Sequence, residues 1–365
     1  MSYILTSESV NMGHPDKVCD VIADSILDAV LRQDPNAHVA IECSVKGYIL
    51  FLFGEIYTSA SVDYKQIARG TLNYIGYNGD QFEIIQLISG QSAEINKAVS
   101  DGKETGAGDQ GMMWGYACNE TKELMPLPIM IAHELMKVYD IYRRNINTKY
   151  KPDAKSQVSV IYSKDKPIGI SNIIVSVSHE KGLNIETIKQ DIQENVIIPT
   201  LKKFNYLNLS TKETTYMINP GGEFTSYGPE ADSGTTGRKI AVDTYGSLGK
   251  FGGGALSSKD PTKVDRSGAY YARYVAKNVV AAGLADKCEI QVSYAIGQPK
   301  PTSIYINCFG TNTLEMPQIY KWVNGLFDFS VDNMINELNL RRPIYRKTAC
   351  YGHFGREEFP WEKIK

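Results

Sequence analysis

At 365 residues the chain exceeds what one ordinary hydrophobic core can organise, so two or three domains are expected. An apolar content of 42% with 22% charged residues excludes a disordered chain. A formal net charge of -2 excludes a general nucleic-acid binder, which carries a basic excess, while leaving room for a local basic pocket. Met1 to Val10 lack a cationic start followed by an apolar stretch, and the longest strongly apolar run, Ile49 to Phe53, is too short to cross a bilayer. Neither a secretory signal nor a membrane partner is therefore expected. The six cysteines show no CxxC pair or zinc-like spacing, and the five histidines do not cluster. Buried thiols in a reducing cytoplasm are the expectation.

Taken in chain order, one unit recurs three times. A helix is predicted from Pro15 to Arg32, with Val18, Ile22, Ile26 and Val30 at four-residue spacing. Two β-rich runs follow, Val39 to Val45 and Tyr48 to Tyr57, turning at Gly47, and then a helix from about Val62 to Ile75. The second unit has a helix near Ile129 to Arg143, strands at Gln157 to Tyr162 and Ile168 to Ser178, and a helix from Ile185 to about Val196. In the third, a helix from Asp265 to Ala282 stops at Gly283, a good C-cap residue. Strands at Glu289 to Ala295 and Thr302 to Phe309 and a helix from Pro317 to about Phe327 complete it. Ser156-Gln157-Val158-Ser159 even reappears as Ile290-Gln291-Val292-Ser293. The repeat predicts an α+β fold of three similar αββα-type domains, each a sheet with helices on one face. Approximate spans are 1–95, 96–222 and 223–365.

Chemistry is expected in the connections. Ser89 to Gly111 and Asn219 to Gly254 are rich in glycine and read as structureless, and long loops of that kind are usually functional or mobile. The segment Gly252 to Asp265, with Lys259 and Lys263, resembles a phosphate loop: glycines let N–H groups approach phosphate oxygens and lysines supply charge. It breaks the P-loop rule, since Ser258 stands where a glycine should, Asp260 follows the lysine and no clear strand precedes it. A flexible surface loop is the alternative. Gly13-His14-Pro15-Asp16-Lys17 puts Pro15 in a first helical turn and His14 at the positive end of the helix dipole. His14 there is either a cap or a donor to phosphate, and Asp16 either a first-turn carboxylate or a Mg²⁺ ligand. Asp265 shares that ambiguity. Arg238-Lys239 is either a solvated pair or a clamp on a triphosphate. Lys155 starts a predicted strand, and Glu42 and Glu55 interrupt apolar strands, where a charge needs a partner.

Together Thr6 to Val10 with Gly13 to Lys17, Gly106-Ala107-Gly108-Asp109-Gln110-Gly111, Lys155-Ser156-Gln157, Gly252 to Asp265 and Tyr351 to Arg356 resemble the signatures of the S-adenosylmethionine synthetase (methionine adenosyltransferase) family. The likeness is collinear over essentially the whole chain. It implies three interleaved domains related by pseudo-threefold symmetry. It also implies a homodimer or a dimer of dimers (a homotetramer) with sites between subunits, in the cytoplasm. The implied reaction is attack of the methionine sulfur on ribose C5′ of ATP, then hydrolysis of the expelled triphosphate to pyrophosphate and phosphate. A thioether needs no base, so stabilisation of the departing triphosphate by placed cations should dominate, with in-line orientation next.

By matching motif, the resemblance gives His14, Lys155, Arg238 and Lys259 catalytic roles. ATP would be lined by these with Asp109, Asp153, Glu223, Phe224, Asp232, Lys239 and Ala255, Phe224 packing on adenine. Methionine would be received by Glu55, Gln91, Asp232 and Lys263. Asp16 and Asp265 would hold Mg²⁺, two ions per site and the aspartates from different subunits, and Glu42 would hold K⁺. Gln91 to about Gly102 would be a gate. Leu256 and Ser258 depart from the usual Phe and Gly, Gly268 from the usual alanine, and the loop after Gln91 is slightly short. An ATP-dependent phosphotransferase making ADP is the rival enzyme; a scaffold subunit would be expected to have lost the charged residues, and none is missing.

Overall fold

The first strand of the chain pairs with none of its sequence neighbours. In the computed structural model, which describes residues 2–91, 104–203 and 206–365, the chain begins with β1 (Ser2–Val10), helix α1 (Pro15–Gln33), the hairpin β2 (His38–Lys46) and β3 (Ile49–Tyr57), α2 (Tyr64–Ile75) and β4 (Glu83–Gly90). It continues with β5 (Gly111–Cys118), α3 (Leu127–Asn145), the hairpin β6 (Tyr150–Ser163) and β7 (Lys166–His179), α4 (Ile185–Ile192) and β8 (Ser210–Ile218). The last third holds the short β9 (Gly234–Thr235), α5 (Val264–Ala281), the hairpin β10 (Lys287–Tyr294) and β11 (Ser303–Asn307), α6 (Met316–Leu326) and α7 (Val331–Glu337).

Three sheets result, with strand orders β4-β3-β2-β9, β1-β6-β7-β8 and β11-β10-β5. They are built alike. The leading strand of each hairpin, β2, β6 or β10, accepts an antiparallel strand from elsewhere in the chain: β9, β1 and β5 respectively. β4 and β8 then add in parallel to β3 and β7. The expected α+β architecture therefore holds. The helix–strand–strand–helix unit, however, omits β1, β4, β5, β8 and β9. Those strands pair over long range or in parallel, so no tight turn announces them, whereas the hairpins carry Gly47 at φ 57° and Lys164-Asp165 at φ 49° and 58°. The recurring Gln-Val-Ser lies in β6 and in β10, the two strands in matching places, where Val158 and Val292 are fully buried.

One long helix packs against each sheet: α1 on β2, α3 on β6 and β1, α5 on β5 and β10. The four-residue spacing of Val18, Ile22, Ile26 and Val30 does face the core, all four at 0% exposure. One apolar cluster joins the environments of α1 and α5, and a second surrounds α3. The aspartates of α1 follow their own four-residue spacing, and Asp16, Asp20, Asp24 and Asp28 are all buried. Asp20 accepts the Gly237 N–H, Asp24 the Ser258 N–H, and Asp28 the N–H groups of Tyr345 and Arg346. Each buried charge is thus met by backbone donors of the last third of the chain. Asp24 also takes both arms of the Arg266 guanidinium, at 2.9 and 2.6 Å, which ties α1 to α5.

The stretch from Asn219 to Gly254 is not structureless. It contains β9 and two short helical turns, Gly228–Ala231 and Ile240–Asp243. No helix among the described residues is long and apolar enough to cross a membrane.

Candidate active site

The loan of β1 to the second sheet builds the site. Val10 pairs with Lys155, and the Asn11 N–H donates to the Ala154 carbonyl, so residues 11–16 are laid beside 152–155. Gly13 permits this approach, since a Cβ there would fall 2.3 Å from the Pro152 carbonyl carbon. Lys155 consequently sits in the interior of β6 and not at its start, where it pairs with Glu8 at 2.9 Å.

His14 is the N-cap of α1, with Pro15 at the first helical position, and its Nδ1 accepts the Asp16 N–H at 3.2 Å. An imidazole that accepts at Nδ1 carries its proton on Nε2. Burial, and then the nearby Lys239 charge, push its pKa down to about 4, so the ring is neutral near pH 7. The cap and donor readings of His14 are therefore compatible: one nitrogen holds the helix and the other has a proton to give. Asp16 is half of a buried ion pair with Lys239 at 2.6 Å and accepts the Thr235 N–H at 3.0 Å. Burial pushes its carboxyl up, but the Lys239 and Thr235 donors outweigh this and hold it below the usual range. Arg238 stands 3.8 Å from the same carboxylate.

A cavity of about 380 Å³ opens beside this cap. It brings together His14, Asp153, Lys155, Glu223, Phe224 and Asp232. Ser176, Asn219, Gly221 and Gly222 also line it; Ser176, near the end of β7, carries no sequence signal, while the other three, in the turn after β8, fall within the glycine-rich stretch expected to carry chemistry but belong to no motif of their own. His179 holds Phe224 from both sides of its peptide, its N–H donating to the Phe224 carbonyl and its Nε2 accepting the Phe224 N–H. Burial raises the Asp153 carboxyl to about 6 despite the Gly228 N–H it accepts.

The basic segment forms a second group that does not line this cavity. Glycine is required at Gly252 and Gly254 by close packing: a Cβ would lie 2.5 Å from the Met112 carbonyl oxygen or 2.3 Å from the Asp265 carboxyl carbon. Gly253 alone of the three faces open space. Ala255 packs against Gly237, next to Arg238. Lys259 is paired with Asp265 and Lys263 with the fully buried Asp260, which also accepts the Val39 and Thr262 N–H groups. Leu256 is buried in the larger apolar cluster. Asp265 lies in the first turn of α5 and Lys263 is the N-cap, so Asp265 is not the cap. Gly108 donates its N–H to Thr262, drawing exposed Asp109 alongside this segment.

Glu42, Glu55 and Gln91 gather on the sheet of β2, β3 and β4. Ala40 opposes Glu55 and Phe53 opposes Glu42, making the two carboxylates diagonal neighbours. Burial pushes the Glu42 carboxyl up, against the pull of Lys259, and no hydrogen bond or ion pair reaches it from the described residues. The Gln91 side-chain oxygen is buried without a partner. The rest of the expected gate, through Gly102, lies outside the described residues. Among those residues no three His, Cys, Asp or Glu side chains come together as a metal site.

Residues 2–100 match the N-terminal domain of S-adenosylmethionine synthetase, residues 104–224 its central domain and residues 227–363 its C-terminal domain. The chain belongs to the S-adenosylmethionine synthetase family. It is 49% identical over 373 aligned positions to the S-adenosylmethionine synthase of Mesoplasma florum, an alignment covering 100% of this chain and 98% of that protein. Members of the S-adenosylmethionine synthetase family are methionine adenosyltransferases, and synthesis of S-adenosylmethionine from ATP and L-methionine is the reaction of this chain.

Proposed function

We propose that the 380 Å³ cavity holds the adenosine of ATP with its triphosphate laid across the N-terminus of α1. The neutral His14, with Nε2–H free to donate beside Lys155, is the observation that carries this reading. Phe224 offers the adenine a ring, and Asp153 and Asp232 offer acceptors to the nucleoside. As the C5′–O bond breaks, negative charge grows on the departing triphosphate, and His14, Lys155, Arg238, Lys239 and Lys259 supply fixed donors to it. None of them has to move a proton, since the attacking sulfur is a neutral thioether. Glu55, Gln91, Asp232 and Lys263 receive methionine; the unpaired Gln91 oxygen, and Glu55, which no described residue pairs, are open to its ammonium group.

Asp16 and Asp265 fit the needs of Mg²⁺. Both are hard oxygen donors in a first helical turn, each now neutralised by one lysine that a phosphate would draw away. Mg²⁺ bound there would add positive charge at the triphosphate. Each aspartate would leave most of the coordination shell of the ion to phosphate and water. Glu42, half-buried and partnerless, fits K⁺.

A homodimer or dimer of dimers with shared sites is supported by the separation of the cavity from the basic segment within one chain. It is also supported by the exposed apolar face of the first sheet, where Ile49, Ile85 and Leu87 are 51%, 45% and 68% exposed. The test of the reaction is incubation with ATP, Mg²⁺ and methionine. The sulfonium product with pyrophosphate and phosphate is expected, and ADP as the main nucleotide product would overturn the reading in favour of a phosphotransferase.

A further inference from the structure

A second cavity, of about 250 Å³, shares no lining residue with the substrate cavity. Its walls include Tyr48, Tyr77, Phe82 and Tyr227, together with the carboxylate-bearing Glu230. Phe82 is buried, and both Tyr48 and Tyr77 stand against it nearly at right angles, at 70° and 69° with centroids 5.5 and 6.4 Å away. Tyr227 lies almost parallel to Tyr77, at 24° and 6.3 Å. The rings thus form an aromatic box of two edge-to-face contacts and one stacked pair.

The carboxylate in its wall has no salt-bridge partner among the described residues. Glu230 makes no ion pair with any described residue, and its carboxylate accepts only the Tyr48 hydroxyl, at 3.3 Å. Lys46, the nearest candidate, instead gives its ammonium protons to the backbone carbonyls of Glu230 and Ala231, at 3.0 Å each. Those bonds fix the backbone and engage the ammonium there, so that it forms no salt bridge with the carboxylate. Electron-rich rings and a carboxylate without a salt-bridge partner attract a poorly hydrated organic cation. A small metal ion would need more oxygen ligands than this cavity offers.

We propose that this aromatic box is a binding site for a small organic cation of the alkylammonium or sulfonium class. It is wired to the active site. Tyr77 donates its hydroxyl to the Gly13 carbonyl at 2.6 Å, next to His14, and Glu230 is followed directly by Ala231 and Asp232, which line the substrate cavity.

The test is calorimetric titration of the full chain with choline and with 3,3-dimethylbutanol, its uncharged isostere. Choline should bind at least about tenfold more tightly. Glu230→Gln and Tyr227→Ala should each weaken choline about tenfold or more while leaving the melting temperature within a degree or two, and Phe224→Ala should leave choline binding unchanged. Equal affinity for the two probes, no binding of choline, or loss of binding in Phe224→Ala but not in Glu230→Gln would overturn the proposal. The last of these would assign the cation to the substrate cavity. Calorimetry reads binding directly, so the result does not depend on the proposed ATP pose.

Discussion

The three long helices begin in the same place relative to their sheets but not with the same chemistry. In α1 the cap is His14 and the second helical residue is Asp16, paired with Lys239; in α5 the cap is Lys263 and the second residue is Asp265, paired with Lys259. In α3 the cap is Pro126, the second residue is Pro128, and no acid stands in the first turn. Two of the repeats have turned a helix start into a charged site, and the third has kept it as scaffold. What distinguishes them is what borders the start. α1 and α5 are met by residues 234–260, whose N–H groups satisfy the buried aspartates of α1 and whose Lys259 pairs with Asp265, while the start of α3 has apolar neighbours around Leu127 and one carboxylate, Glu120, accepting the Leu127 N–H.

Breaking the link between the two charged helices should have the largest effect. In Asp24→Ala the fully buried Arg266 loses both its carboxylate contacts and Ser258 loses its acceptor. An unpaired buried guanidinium should destabilise the protein by about 3–5 kcal/mol, measured by urea unfolding. A loss below about 1 kcal/mol would mean that α1 and α5 are held together by apolar packing alone.

Removing one charge from a helix start should leave the fold and cut the chemistry. Lys259→Ala is expected to lower turnover roughly 100- to 1000-fold, with the unfolding midpoint nearly unchanged, because Lys259 serves the additional negative charge that grows on the triphosphate as it departs. Unchanged turnover would take Lys259 out of the site and make α5 more like α3.

The cap of α1 predicts a pH signature. The folded-state pKa of His14, about 4, lies below the ordinary 6.5, so between these values the unfolded chain binds the proton that the folded chain refuses. Stability should therefore fall as pH drops from 6.5 towards 4. His133 and His353, buried and also depressed, act in the same direction. In His14→Asn the fall should be shallower, though not absent, when urea midpoints are compared across that range. An identical slope would show that His14 is already solvated and not the buried cap described.

The smallest effect sharpens the α5 side. Ser258 sits at φ 81°, and its hydroxyl is buried without a partner. Ser258→Gly removes both penalties, against the extra freedom glycine gives the unfolded chain, and should stabilise by about 1 kcal/mol. A destabilised variant would mean that the hydroxyl has a partner, such as a bound water.

Ser258 also shows how far the sequence could be read. As a departure from the family pattern it was visible; that it occupies a left-handed position anchored by Asp24 was not, because Asp24 is 234 positions away. The helices were legible wherever one face repeated, as at Val18, Ile22, Ile26 and Val30. The aspartates at the same spacing were equally visible and would have been the one signal for the buried α1 partners. His14 and Asp16 could be placed because Pro15 marks a helix start. Asn219, Gly221 and Gly222 could not, since strand ends become cavity walls only through the pairing of distant strands. The same reason hid β1, β5 and β9.

That circular loan of strands governs how the molecule can be made. Until residues 234 and 235 have been synthesised, the free edge of β2 has no companion, and the first hundred residues present an open sheet to any passing chain. The second sheet is better placed, because its borrowed strand β1 is made before β6 arrives. The third likewise waits with β5 in hand. Assembly on the ribosome is thus asymmetric even though the finished sheets are alike: of the three hairpins only the first is made before the strand it borrows, and no cut in the chain can release one third as a finished piece.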